Sequence, residues 1–235
     1  HMAAELGVKN VIDNPIKTVD INYVTTMNIL DFAKKNKKLK RFFFFSTSEV
    51  YSKLNSKEKM SEKDKLELPE ILHPRTSYWI SKITGEFLTI NSKIPYTIFR
   101  IFNVYGPNNK TSHVIPAIFK KLRSNRKVIF QNPTHFRSFI YIKDFVKILL
   151  ISMQSQFKNK IINVGNPYES IQIKKLVGKI HKISMSKTKY KFINFPNQSI
   201  KKRIPDINKL NKLIKRKFKF TKLSNGLTEI YAKKN

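Results

Sequence analysis

The run Arg41-Phe42-Phe43-Phe44-Phe45-Ser46-Thr47-Ser48-Glu49-Val50-Tyr51 decides the fold. Four consecutive phenylalanines leave no polar face, so the segment suits a strand covered on both sides, the habit of parallel sheets. It ends in small hydroxyl residues and an acid, and strand ends of open parallel sheets are where ligands bind. Upstream, Asn14-Pro15 opens residues 16–35, in which Ile21, Val24, Ile29, Leu30 and Phe32 recur at three- and four-residue spacings, as on an amphipathic helix. Downstream, residues 53–73 carry five of the fifteen acids (Glu58, Glu62, Asp64, Glu67, Glu70) and read as a surface excursion before Pro74. A helix is predicted over 77–92 and a strand over 95–101, closed by Gly106-Pro107. This alternation of helix and strand predicts an α/β sheet with parallel crossovers.

Past residue 108 the pattern shortens: a helix near 114–122, strands near 128–130 and 137–141, then helices near 144–153 and 171–181. We expect a main domain over 1–107 and a smaller lobe over 108–235, with a strand or helix free to return to the main sheet. The interface of two such lobes commonly holds the ligand.

Composition narrows the chemistry. The 235 residues include no cysteine, which excludes disulfides, thiolate zinc sites, iron–sulfur clusters and a cysteine nucleophile. That absence suits a reducing compartment, and the expected location is cytoplasmic. No apolar run approaches the roughly 18 residues of a membrane span, so no membrane partner is expected. The five histidines show no ligand spacing, so no metal is expected. Formal charge is +32, and it is uneven: residues 1–117 hold 18 basic and 11 acidic groups, residues 118–235 hold 29 and 4. A basic half attracts polyanions, nucleic acid among them. Lysine, asparagine, isoleucine and phenylalanine are abundant along the whole chain, however, which favours solvated lysine faces over a nucleic-acid site.

The strand end Ser46–Tyr51 pairs with a second cluster, Tyr78-Trp79-Ile80-Ser81-Lys82, on the helix that follows. Tyr78 and Lys82 stand at i and i+4 and share a helix face, with about 5–6 Å between their Cβ atoms. A lysine ammonium there favours the phenolate and lowers a tyrosine pKa from about 10 toward neutrality. Tyr78 could then serve as a general base, with a hydroxyl such as Thr47 orienting the substrate alcohol. By itself, a Tyr-x-x-x-Lys spacing is a weak signal.

The wider motif set resembles the extended short-chain dehydrogenase/reductases, specifically the NAD-dependent nucleotide-sugar epimerase/dehydratase family. His1-Met2-Ala3-Ala4 is similar to the family's H-x-A-A, and Asn22, Thr26 and Leu30 to its N-x-x-x-T-x-x-x-L helix. Thr47 to Tyr51 matches the catalytic strand end, and Ser77-Tyr78 through Lys82 with Glu86 matches S-Y-x-x-S-K-x-x-x-E. Arg100-Ile101-Phe102-Asn103-Val104-Tyr105-Gly106-Pro107 resembles R-x-x-N-x-Y-G-P, and the segment from Arg137 to Asp144 resembles R-x-F-x-Y-V-x-D. Asn163-Val164-Gly165 and Arg203-Ile204-Pro205-Asp206 complete the series in the family's order.

The resemblance implies a Rossmann-like parallel sheet with a smaller mixed α/β substrate lobe. It implies Tyr78, Lys82, Thr47, Ser48 and Glu49 as catalytic, and His1, Ala3, Ala4, Asn22, Ser46, Tyr78, Lys82, Phe102 and Val104 as contacts for NAD. Asn103, Val114, Arg137 and Arg203 are implied for a nucleotide-diphosphate sugar. Relatives usually dimerise through the helices matching 16–35 and 77–92, so a homodimer is expected. The family's G-x-x-G-x-x-G turn is missing, since no two of the six glycines lie closer than 13 residues apart. The expectation is therefore a chain lacking its first βαβ units, which by itself binds NAD poorly and is inactive. Thr25 and Ser52 stand where glycine is usual, and Gln131-Asn132-Pro133 where a G-x-G turn is common.

By the same resemblance, Tyr78 takes the proton of the sugar 4-hydroxyl while hydride passes to NAD, which gives a 4-keto sugar. Three outcomes then stay open: return of hydride to the other face (epimerase), loss of water across C5 and C6 (dehydratase), or loss of a 6-carboxylate (decarboxylase). Glu49 is a candidate second base. A Ser-Glu pair with a late arginine also resembles the nucleotide-uronate decarboxylases. The readings from other classes are a basic nucleic-acid-binding protein and a non-catalytic relative.

Overall fold

The computed structural model describes residues 1–51, 59–66, 71–110, 112–124, 126–194 and 201–233. Ser52, Glu58, Glu67 and Glu70 lie outside the described residues. The chain opens with the short helix α1 (Val8–Asp13) and the long helix α2 (Pro15–Lys35). Pro15 sits in the first turn of α2, where its missing N–H would have had no partner in any case. Strand β1 (Phe42–Thr47) follows, then helix α3 (Thr76–Asn91) and strand β2 (Tyr96–Ile101). β1 and β2 pair in parallel, Phe44 opposite Ile98 and Thr47 opposite Ile101.

The phenylalanine run is apolar throughout because successive side chains point to opposite faces and both faces are covered. Phe42 and Phe44 pack with Leu30, Ala33 and Ile98 on the α2 and α3 side. Phe45, and less completely Phe43, join Phe99, Phe145 and Phe157 on the other. Main-chain atoms of His1 bond to Phe43 and Phe45, so the outer edge of β1 is also partnered there.

The second half contains β3 (Val104–Tyr105), α4 (Val114–Leu122), β4 (Val128–Gln131), β5 (Phe136–Arg137), β6 (Ile140–Tyr141) and α5 (Ile142–Ile151). It continues with β7 (Lys160–Val164), β8 (Ile171–Gln172), α6 (Ile173–Ile183), β9 (Tyr190–Ile193), β10 (Lys202–Arg203), α7 (Asn208–Leu213) and α8 (Leu223–Ala232). β7 pairs in parallel with β2 and extends the main sheet to β1-β2-β7, so that sheet draws on both sides of the 107/108 division. The remaining strands form the small sheets β10-β5-β8, β3-β6 and β4-β9. A separate core of α4, α6 and α8 residues, among them Ile118, Leu176, Ile180 and Leu227, lies in this half.

Three local expectations are corrected. The strand placed at 137–141 is two pieces, β5 and β6, which pair in different sheets, because the buried Ser138 and Phe139 between them turn the chain. The helix placed at 171–181 begins only at Ile173, after Ile171 and Gln172 have paired with β5. The polar stretch 53–73 is not wholly superficial. Met60 is fully buried and bonds Ile204 and Asp206 through its main chain, and the Glu62 carboxylate accepts the Asn163 N–H at 2.7 Å. No helix among the described residues is long and apolar enough to cross a membrane.

Candidate active site

The carboxyl ends of β1 and β2 open into a groove of about 750 Å³. Its lining includes Ser46, Thr47, Ser48 and Glu49 from the end of β1, and Tyr78 and Lys82 from α3. Ala4, Asn103, Val104, Val114, Arg137 and Arg203 join them. Residues separated by up to 199 positions thus face one space, because parallel strands present their carboxyl ends at one edge of the sheet.

Lys82 is buried, and its Nζ donates to the Phe45 carbonyl at 2.9 Å while lying 6.0 Å from the centre of the Tyr78 ring. Burial lowers its pKa to about 8, with Glu86 pulling the other way. The Tyr78 phenol is pushed well above its ordinary value, first by burial and then by the negative charge of Glu49, while a hydrogen bond with Thr47 pulls it down. This corrects the expectation that Lys82 makes the phenol acidic: the opposing pulls come from Thr47, Arg203 and Arg75, and the ammonium is turned to Phe45.

Glu49 is the most heavily bonded acid of the groove. Its carboxylate accepts from Arg75 at 2.7 Å, from the Trp79 indole at 2.5 Å and from Arg203 at 3.2 Å. Although burial opposes ionisation, the two arginines hold its pKa at about 2. Glu49 is thus held as an anion by Arg75 and Arg203, an arrangement that makes it a weaker proton acceptor than a free carboxylate. Arg137, whose N–H reaches the Phe136 carbonyl, is pushed down by burial and then by Arg203, with Glu49 opposing. The Nε of Arg203 is buried without a hydrogen-bond partner. Two guanidinium groups thus hold one carboxylate, a third, Arg137, lines the same groove, and one of the paired arginines keeps a buried N–H without a partner, a donor set suited to an anionic ligand.

Below the groove a buried network holds α3 against the sheet. Arg100 grips Glu86 through Nη2 at 2.7 Å and Nε at 3.0 Å, and Ser46 Oγ donates to the same carboxylate at 2.5 Å. Arg100 also stacks over Tyr51, whose hydroxyl donates to Asn163 at 2.6 Å.

Other expected contacts are placed differently. Asn22 is buried in a tie that accepts from the Glu5 N–H and donates to Ser81 at 3.0 Å, and the His1 ring bonds Thr26. Both brace the wall of the groove. Ala3 is exposed outside its lining, and the Phe102 ring lies in the core with Val50, Tyr51 and Met60. Arg75 and Trp79 were not singled out from the sequence. The signal for both lay beside the tyrosine: positions three before and one after Tyr78 sit next to it on the helix, within reach of the turn that carries Glu49. Among the described residues no group of three or more His, Asp or Glu could hold a metal ion.

Residues 1–165 match the model of the NAD dependent epimerase/dehydratase family. The chain belongs to that family. Among curated relatives it is 32% identical over 226 residues to a UDP-N-acetyl-alpha-D-glucosaminuronate decarboxylase of Bacillus cytotoxicus, covering 91% of this chain and 69% of the relative. It is 31% identical over 180 residues to a putative UDP-glucose 4-epimerase of Methanocaldococcus jannaschii, covering 72% of this chain and 55% of the relative. Among solved structures, the UDP-glucuronic acid 4-epimerase of Bacillus cereus, in complex with UDP-glucuronic acid and NAD, superposes with a TM-score of 0.85 at 28% identity. That superposition covers 99% of this chain and 73% of the other. Family membership and the parallel Rossmann-like sheet agree with the expectation drawn from the motifs.

Proposed function

We propose that the groove performs NAD-dependent chemistry at C4 of a nucleotide-diphosphate sugar, as an epimerase or dehydratase acting through a 4-keto sugar. The observation that carries this reading is the convergence of Thr47, Tyr78 and Lys82 at the carboxyl ends of β1 and β2, in one groove with Arg137 and Arg203. The donor set fits the nicotinamide–ribose half of NAD. Lys82, Tyr78, Ser46 and Val104 would hold that half, and Ala4 borders it. None of the described residues forms a glycine-rich turn for the pyrophosphate. NAD, when bound, accepts a hydride from the sugar carbon.

Tyr78 then takes the proton of the 4-hydroxyl, and Thr47, already bonded to the phenol, orients that hydroxyl. Because burial and Glu49 disfavour the phenolate that accepts this proton, the step depends on the groups that oppose them, and Thr47, Arg203 and Arg75 do so. Lys82, whose Nζ is bonded to the Phe45 carbonyl, fixes the adjoining turn of the helix. Arg137 and Arg203 neutralise the diphosphate, and Glu49 holds Arg75 and Arg203 in place.

A second reading is decarboxylation of a nucleotide uronate, for which the groove offers the Arg75 guanidinium in addition to Arg137 and Arg203. The curated Bacillus cytotoxicus relative is named as a decarboxylase. In that reaction the 4-ketone accepts the electron pair released as the C5–carboxylate bond breaks, carbon dioxide leaves, and the enolate is reprotonated at C5.

Incubation of the complete protein with NAD and UDP-glucose, dTDP-glucose, UDP-glucuronate or UDP-N-acetylglucosaminuronate, followed by NMR of the products, separates the outcomes. We expect conversion of at least one, and a loss of about 10²–10⁴-fold in Tyr78→Phe. Failure to convert or bind any nucleotide sugar overturns the assignment. The exposed apolar side chains of α2 and α3, Phe32 and Phe87 foremost, further support a homodimer through these helices.

A further inference from the structure

A cleft of about 480 Å³ lies between α5 and the segment 216–219. It shares no lining residue with the active groove. Its walls carry Lys147, Arg216, Lys217 and Lys219, its floor is Leu150, Ile151 and Phe218, and no acid lines it. Next to these cations α5 exposes an apolar stripe. Val146 is 42% exposed and Leu150 58%, four residues apart and so on one helix face, and Met153, just past the end of the helix, is 58% exposed. The buried face of α5, Phe145 and Ile148, packs on the sheet side opposite α2 and α3. The stripe and the cleft therefore look away from the surface expected to pair two subunits.

We propose that this cleft and stripe form a docking site for the phosphate headgroups of an acidic phospholipid surface. Charge complementarity selects the occupant. Four cations without an acid attract a dense array of phosphates, and apolar tips between them gain only where a hydrocarbon boundary lies just beyond those phosphates. Lysine stems suit the same boundary, because they lie along apolar surface while the ammonium reaches the headgroups. A nucleic acid would instead call for exposed aromatic rings on which bases stack, and the one aromatic in the lining, Phe218, is buried. The site lets the protein lie on a membrane without crossing it.

With 47 basic residues along the chain, the test must separate this site from diffuse charge. The protein is co-sedimented with vesicles of phosphatidylcholine alone and of phosphatidylcholine mixed equally with phosphatidylglycerol. The wild type is compared with a cleft variant (Lys147, Arg216, Lys217 and Lys219→Gln), and with a charge-matched variant on α6 (Lys174, Lys175, Lys179 and Lys182→Gln). Leu150→Gln tests the apolar stripe on its own, since it removes apolar surface without changing the charge. We expect binding to the mixed vesicles only, lowered at least roughly tenfold in the cleft variant, since one cation near such a surface is worth about fivefold in partitioning. The α6 variant should retain most of the binding, and Leu150→Gln should weaken it at unchanged net charge. All substituted side chains are exposed, and far-UV circular dichroism checks that each variant is folded. Absence of binding to the mixed vesicles, equal losses in the two charge variants, or a cleft variant that loses binding to an RNA duplex but not to vesicles would each overturn the proposal.

Discussion

Within one cluster at the end of β1, Glu49 is held ionised and Tyr78 is held protonated, and both states come from neighbours that can be removed singly. For Glu49 the folded pKa of about 2 lies below the ordinary 4.5, so its stabilising contribution is complete above pH 4.5 and drains away as pH falls toward 2. Glu49→Gln should therefore lower the unfolding free energy by about 2 kcal/mol at pH 7, because Arg75 and Arg203 lose their buried counter-charge. Urea denaturation repeated from pH 7 down to pH 3 should show the gap closing; a gap independent of pH would mean that the ion pairs are not its cause. Lys82 is depressed as well, but there burial penalises the charged form. Its folded pKa of about 8 lies below the ordinary 10.5, so the unfolded chain binds more protons between those values and stability rises with pH across that window. Replacing it by methionine removes a charge that burial disfavours, and also removes the bond to Phe45. The net expectation is a gain of about 1–2 kcal/mol at pH 7 that disappears by pH 10.5, read from thermal melts at both pH values, with turnover lost. At this scale the motif residues were legible, since Thr47, Tyr78, Lys82, Arg137 and Arg203 do meet in one groove. Their protonation states were not, because burial and the arginine pair around Glu49 depend on distant segments that spacing along one helix cannot reveal.

At the scale of elements, the seat of α3 on β1 is set by one glycine. A Cβ at Gly85 would stand 2.3 Å from the tip of the Phe44 ring, which is itself held between α3 and the β1–β2 pair. Alanine normally gains about 1 kcal/mol over glycine in a helix interior. Here the clash dominates, and Gly85→Ala should destabilise by about 1–3 kcal/mol as overpacked cores do. The double variant with Phe44→Leu should recover most of the loss; equal stability of the two variants would show that the close approach is not what the glycine serves. The same packing explains which elements could be read beforehand. Phe42 to Phe45 announce a strand covered on both faces, and the 16–35 and 77–92 readings find α2 and α3, although of the apolar residues read on α2 only Leu30 is buried while Val24, Ile29 and Phe32 are exposed. β7 gave less signal. It starts at the exposed Lys160, and its buried end is Ile162, Asn163 and Val164, whose strand character comes from pairing with Phe99, Arg100 and Ile101. Two-residue strands such as β5, β6 and β10 have no period at all, and only their partners define them.

For the whole molecule, the two faces of the main sheet are closed differently, and this divides the outer surface. One face is covered by α2 and α3, whose mutual packing is among the most extensive in the fold, yet both still present large apolar groups to solvent. Phe32 is 67% exposed and Phe87 63%, with Tyr23 and Ile90 less so. Exposed aromatic groups on one pair of helices are more than a solitary subunit ordinarily leaves uncovered. The few acids on α2, Asp20 and Asp31, leave that surface far less cationic than the second half of the chain, so two copies can approach through it against the mutual repulsion of proteins with a formal charge of +32. Two consequences follow for a dimer held by apolar burial on a strongly charged protein. Added salt should strengthen it, since screening removes repulsion while the apolar contact remains. Phe87→Glu should dissociate it by placing a buried charge in its seam. Light scattering coupled to gel filtration should therefore give twice the chain mass for the wild type, increasingly so from low to moderate salt, and a single chain mass for Phe87→Glu. A wild type that remains monomeric at every salt and protein concentration would remove α2 and α3 as the pairing surface.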